Sequence, residues 1–186
     1  MRQDKHPAAT QKTAHLFTAA DIAAILGEQG WLSRTHVSSA DLALTDWLAR
    51  AAELLGPRAV DRAALLGLLA LVFNYRAVAL LEDAANQEVL ARAGAREVIR
   101  ELANRVLDGM DIDSDRFKRI VEGMKSSLPY RSRSLFHPIR LALAGSAGEG
   151  ELDRVILLLD AAARLDFMVP VKSTRERMLE FCAALD

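Results

Sequence analysis

Ser134-Leu135-Phe136-His137-Pro138-Ile139-Arg140-Leu141-Ala142-Leu143-Ala144-Gly145, followed shortly by Gly148-Glu149-Gly150-Glu151-Leu152, reads as one short helix, a glycine stop, a loop and a second helix start. Pro138 suits a first helical turn because its ring fixes φ, and Gly145 can close the last turn in the left-handed conformation. Leu135, Ile139 and Leu143 would dock this helix and leave Arg140 free to point elsewhere. Downstream, Leu152, Val155, Ile156 and Leu159 continue a helical period to about residue 165.

Working outward, the segment just upstream has the clearest period in the chain. Asp113 is placed as an N-cap, and Phe117, Ile120, Val121, Met124 and Leu128 fall on one helical face. Pro129-Tyr130-Arg131-Ser132-Arg133-Ser134 then reads as a basic loop. Further helices are predicted over residues 18–29, 39–55, 58–82, 86–107 and 173–185, with Thr18 as an N-cap, Gly94 as a break and Ser173–Glu176 as a capping box. The middle of 58–82 is apolar on nearly all sides, the pattern of the most buried helix in a bundle.

Composition agrees with helices throughout. Of 186 residues 51% are hydrophobic and only 5% aromatic, with Leu and Ala dominant and β-branched runs scarce. The expectation is an all-α fold, a compact helical bundle of two helical subdomains: a flexible leader at 1–16, an N-terminal subdomain at 17–92, a C-terminal one at 93–166, and a last helix within 167–186. The apolar run 63–73 is shorter than the roughly 20 residues that span a bilayer. A single cysteine, Cys182, and a polar N-terminal stretch point to the cytoplasm.

The formal net charge of -1 hides an asymmetry. Arg116, Lys118, Arg119, Lys125, Arg131, Arg133 and Arg140 crowd one segment in which Glu122 is the one acid. Such a segment is either an RNA-binding edge or a solvated helix face. Arg92, Arg96 and Arg100, four apart, form a second stripe, assigned to surface electrostatics because Glu97 and Glu101 stand ready to pair with it. Tyr130 would stack on an unpaired base or cover the end of the bundle.

Other chemistry finds no support. His6, His15, His36 and His137 lack metal-ligand spacing, and Cys182 reads as a small core residue. His137 reads as a structural hydrogen-bonding residue. Asp111, Asp113 and Asp115 lack the glycine and distal glutamate of a calcium loop, and no glycine-rich phosphate loop is present. No metal and no cofactor are expected.

The Leu135-Phe136-His137-Pro138-Ile139-Arg140 run and the Gly150-Glu151-Leu152 helix start resemble the C-terminal anticodon-binding region of bacterial glutamyl-tRNA synthetases. The likeness covers about 95–166 and, loosely, 54–73. It departs from the family pattern at Ala144, where threonine is usual, and at Gly150, where proline is usual. The catalytic domain of those class I enzymes, with its ATP-binding motifs, has no counterpart here, and Val171-Lys172-Ser173-Thr174 is only a superficial echo of one of them. The resemblance therefore implies a non-catalytic tRNA-binding protein, its partner the anticodon arm of tRNA, tRNA-Glu in the first instance. Arg140 and the loop carrying Glu149, Gly150 and Leu152 would lie beside the anticodon bases, with Lys125, Arg131 and Arg133 on phosphates and Tyr130 stacking. The alternative is a helical protein-interaction module, or an accessory subunit of a synthetase, that no longer binds RNA.

Overall fold

In the computed structural model, residues 17–33 and 41–185 are described. The leader 1–16, His6, His15 and His36, and residues 39 and 40 of the predicted second helix lie outside them. The described residues form ten α-helices and no strand: α1 (Ala19–Glu28), α2 (Leu42–Leu55), α3 (Arg62–Phe73), α4 (Ala77–Glu82), α5 (Ala84–Ala91), α6 (Ala95–Val106), α7 (Ser114–Ser127), α8 (Ser132–Ala144), α9 (Glu151–Ala162) and α10 (Thr174–Leu185). The protein is all-α. Most of the starts are set by short polar side chains that satisfy the orphan amides of a first turn. Thr18 and Asp21 make a reciprocal capping box on α1, and Asp41, Asp61, Asp83 and Asp113 accept from backbone amides of α2, α3, α5 and α7. The Ser173–Glu176 box closes the start of α10 from both sides.

Helix α9 is the axis of the packing. Leu152, Val155 through Leu159 and Ala162 are all buried, and α2, α3, α8 and α10 pack around it. This corrects the expectation for 58–82, whose apolar middle buries a single face: Leu65, Leu69, Val72 and Phe73 are inside, while Ala63 and Gly67 are exposed. Alanine and glycine are tolerated at the surface, so an all-apolar run did not demand all-round burial. The same stretch is also two helices rather than one. Between α3 and α4, Tyr75 turns inward and donates to the Ala142 carbonyl at 2.6 Å, and the buried Arg177 guanidinium donates to the Val72 carbonyl at 2.6 Å. The guanidinium thus satisfies the Val72 carbonyl, which a continuous helix would have paired with a backbone amide.

An aromatic cluster ties the N-terminal helices to the chain that follows α9. Trp31 stacks on Phe73 at 4.6 Å, and Phe167 meets Trp47 and Phe73 edge-on at 5.2 and 5.0 Å. The indole of Trp47 donates to the Leu158 carbonyl, so the ring's polar edge is satisfied as well.

Two boundaries near the quoted stretch differ from the sequence reading. Helix α8 begins at Ser132, not near Pro138, and carries that proline in its interior. The expected basic loop 129–134 shrinks accordingly, because Ser132, Arg133 and Ser134 belong to the first turn of α8. Ser134 holds that turn: its hydroxyl donates to the Arg131 carbonyl at 2.7 Å and accepts from the Arg131 amide. At the other end Gly145, with φ 84°, sends its amide back to the Arg140 and Leu141 carbonyls, the left-handed stop anticipated for it. Gly94, also at φ 84°, separates α5 from α6 where the break was expected.

Candidate nucleic-acid interface

The end of the bundle at which α5 turns into α6 and α7 into α8 gathers most of the residues singled out in the sequence. Lys125 lies in the last turn of α7, half-buried, and pairs with Glu122 at 2.7 Å. Arg131 folds back over that turn. Its guanidinium donates to the Lys125 carbonyl at 2.7 Å and to the Leu128 and Tyr130 carbonyls at 2.6 Å, so it caps the C-terminus of α7. Its hydrogen-bonding fork is directed inward, although the residue stays exposed and keeps its charge at the rim.

Tyr130 is docked rather than free. Its ring lies against Gly94, where any Cβ would overlap the ring, and its hydroxyl donates to Glu97 at 2.7 Å. The hydrogen bond to that carboxylate pushes the phenol pKa up from its ordinary value. The covering role, not the open stacking platform, describes its place.

Arg140 is buried and does not point away from the bundle. Nε and Nη2 make a two-pronged pair with the Asp153 carboxylate at 2.7 and 2.9 Å, and Nη1 donates to the Gly148 carbonyl at 3.0 Å. The guanidinium also lies 4.9 Å from the Phe136 ring centroid. The expectation of an outward Arg140 is corrected on this geometry: with acid, carbonyl and ring all supplied from within, the guanidinium holds the 145–150 loop onto the start of α9. Leu152 is likewise a core residue and anchors that start. Glu149 and Gly150 remain at the surface.

Arg133 is the open cation of the set. Its side chain keeps 74% of its exposure and touches Glu149 at 3.4 Å, an exposed pair of the kind that contributes little. A second open cation joins it from the stripe that had been set aside. Glu97 accepts from Tyr130 and Glu101 pairs with Arg105 at 2.6 Å, so the acids expected to neutralise Arg92, Arg96 and Arg100 are committed elsewhere. Arg96 reaches the Leu185 carbonyl at 3.4 Å, and Arg92 and Arg100 have no ion-pair partner among the described residues.

Arg92, at the end of α5, and Arg133, in the first turn of α8, both act electrostatically on His137. Burial first, then Arg92, lowers the imidazole pKa below its ordinary value, with Arg133 and Arg140 adding to the effect and Glu149 opposing it. The hydrogen bond expected of this histidine is not found among the described residues, and its Nε2 is buried without a partner there. Linear spacing hid Arg92's membership of this rim, because it is the left-handed turn at Gly94 that separates its helix from α6. The rest of the positive segment is dispersed. Arg116 and Arg119 line a different cleft, and Lys118 is 3.9 Å from Asp115.

Taken together, the site is a shallow rim with cations from three helix ends around a docked tyrosine and a partly buried histidine. Nothing in it forms a nucleophile–base pair, and no three His, Cys, Asp or Glu side chains among the described residues are grouped to hold a metal ion. Its side chains offer positive charge and hydrogen-bond donors to an anionic group.

A family model described as an anticodon binding domain matches residues 28–163. The chain belongs to that family. No curated protein and no solved structure matches it.

Proposed function

We propose that this protein binds tRNA by the anticodon arm, in the manner of the corresponding region of a glutamyl-tRNA synthetase, and that it performs no aminoacylation itself. The observation that carries this reading is that Arg92, at the end of α5, and Arg133, in the first turn of α8, belong to two helices packed against each other, with Lys125 in the last turn of α7 and Arg131 just before α8, in a chain of the anticodon-binding family. Arg92 and Arg133 contact backbone phosphates; Lys125 and Arg131 add charge; Glu149 and Gly150 border the same surface. Arg140 acts through the loop it holds, as a positioning residue.

A salt titration tests the proposal. Binding through several phosphates weakens as a linear function of log salt, with a slope of about −0.7 per phosphate neutralised on a single strand. Arg133→Ala and Arg92→Ala should each flatten that slope by about 0.7 and weaken binding at every salt concentration. Equal slopes for the variants and the parent would remove both residues from the interface.

A second reading has an observation of its own. Arg140, Arg131 and Tyr130 spend their polar groups on internal partners, as they would in a bundle kept for docking a protein. Failure of any tRNA to bind at low salt, where phosphate contacts are strongest, decides for the protein-interaction module.

A further inference from the structure

Tyr130 touches the turn between α5 and α6 at two points. The Ala95 amide donates to the Arg92 carbonyl at 3.1 Å, which closes residues 92–95 into a tight turn, and Gly94 takes the left-handed position in it with φ 84°. The Tyr130 ring fills the space that a Cβ at Gly94 would occupy. One step further on, in the first turn of α6, Glu97 accepts a hydrogen bond from the Tyr130 hydroxyl at 2.7 Å. Two contacts made by one rigid side chain hold the turn against both sliding and rotation, where either alone would leave one of those motions open.

Each end of this contact lies close in the chain to an exposed cation of the rim. Arg92 is the first residue of the turn, two before Gly94. Arg133 follows Tyr130 by three residues, and the chain between them is itself fixed: Arg131 donates to the Tyr130 carbonyl through its guanidinium and to Ser134 Oγ through its amide. The tyrosine therefore joins the backbone that carries Arg92 to the backbone that carries Arg133. Glu97 is the odd member of this group, since an acid on a cationic rim repels an anionic backbone, yet its carboxylate is engaged with a phenol and not with an arginine.

We infer that Glu97 is a positioning residue: through the Tyr130 hydroxyl it holds the Arg92 turn in register with the start of α8, so that binding of an anionic backbone depends on an acid whose own charge opposes it. The inference rests on the tRNA reading for the identity of the partner and on the geometry of the turn for the clamp itself.

Bulk tRNA is titrated against the full chain and its variants at fixed salt, and the His137 imidazole is titrated by proton NMR without tRNA. Glu97 is exposed, so the fold tolerates its substitution. Charge alone predicts that Glu97→Ala tightens tRNA binding, because an acid leaves the rim. The clamp predicts the reverse, a loss of about fivefold, and at least that loss in Tyr130→Phe, which keeps the ring on Gly94 but has no hydroxyl. Glu97→Gln keeps an acceptor for the hydroxyl without the charge and should bind at least as tightly as the parent. In an Arg92→Ala background the Glu97→Ala loss should disappear, whereas a general loss of stability would persist there. His137 reports the same event without RNA, since Arg92 acts on it together with Arg133, Arg140 and the opposing Glu149. Release of the turn withdraws Arg92, so the imidazole pKa rises in Glu97→Ala and Tyr130→Phe; removal of the Glu97 charge by itself would move it down. If no tRNA binds the parent at low salt, the tRNA reading falls and the His137 titration alone decides the clamp, a rise supporting it and no rise overturning it. If tRNA binds the parent, then Glu97→Ala binding as tightly or more tightly, or an imidazole that does not move in either variant, overturns the clamp and leaves the tRNA reading standing.

Discussion

At the scale of single residues, the glycines show how far a local rule reaches. Gly94 has φ 84° and is covered by the Tyr130 ring, so Gly94→Ala suffers both backbone strain and an overlap with an aromatic side chain. Gly27, inside α1, has open space around its Cβ position and ordinary helical φ. Gly94→Ala should therefore lower stability by about 1–3 kcal/mol, and Gly27→Ala should raise it by about 0.4–1 kcal/mol. Urea denaturation of the two variants checks the opposite signs.

His137 gives a pH dependence whose direction is fixed by its surroundings. Burial and the neighbouring arginines lower its pKa in the folded protein, so the unfolded chain holds the proton more tightly. Stability is complete above the unfolded value of about 6.5 and declines as pH falls below it, until the folded group also protonates. His137→Gln should flatten the unfolding free energy measured between pH 7.5 and 5.5. Glu101 and Glu180 have lowered pKa values, through hydrogen bonds from Arg105 and from Lys172 acting against burial, and their loss of stabilisation belongs to a more acidic window.

At the scale of elements, the start and stop signals that act over three or four residues were legible: the Asp113 cap, the Gly94 break, the Gly145 stop and the Ser173–Glu176 box. The break between α3 and α4 was not. It is held by Tyr75 and by Arg177, whose partners lie 67 and 105 residues away in the chain. Linear periodicity carries no trace of such a bond. The candidate site follows the same division: the residues of the turn after α7 were found by composition, but which of them stay open depended on Asp153, Glu97 and three carbonyls. Arg177 is the sharpest case. It is fully buried with no carboxylate bound to it, donates to the Lys172, Leu143 and Val72 carbonyls, and stacks on Tyr75 at 4.5 Å. Burial lowers its pKa to about 10. Arg177→Met should orphan the buried carbonyls at about 1–3 kcal/mol each, with a fall in melting temperature of several degrees. Arg175→Met, on the exposed side of the same helix, should leave the thermal transition in place.

For the molecule as a whole, the issue is what the helices outside the matched family segment contribute. Helix α10 begins after residue 163, yet it places Arg177, Met178 and Phe181 against α4, α6, α8 and α9 with essentially no exposure. Truncating a buried Met or Phe costs about 2–5 kcal/mol, and a natural domain has a total stability of about 5–15 kcal/mol. A chain ending at Lys172 loses both side chains and the Arg177 bonds to α3 and α8 together, so it should lack a sharp urea transition and near-ultraviolet dichroism. The two sequence halves proposed at 17–92 and 93–166 meet in the same interior, since α9 of the second half packs on α2 and α3 of the first. They should unfold together in the full-length protein, with fluorescence of Trp31 and Trp47, both in the first half, and far-ultraviolet dichroism of the whole chain reporting one midpoint. Separate midpoints would mean that the shared contacts of α9 are too weak to couple the halves, and that the cationic rim, built on α5 to α9, holds its shape without the helices before it.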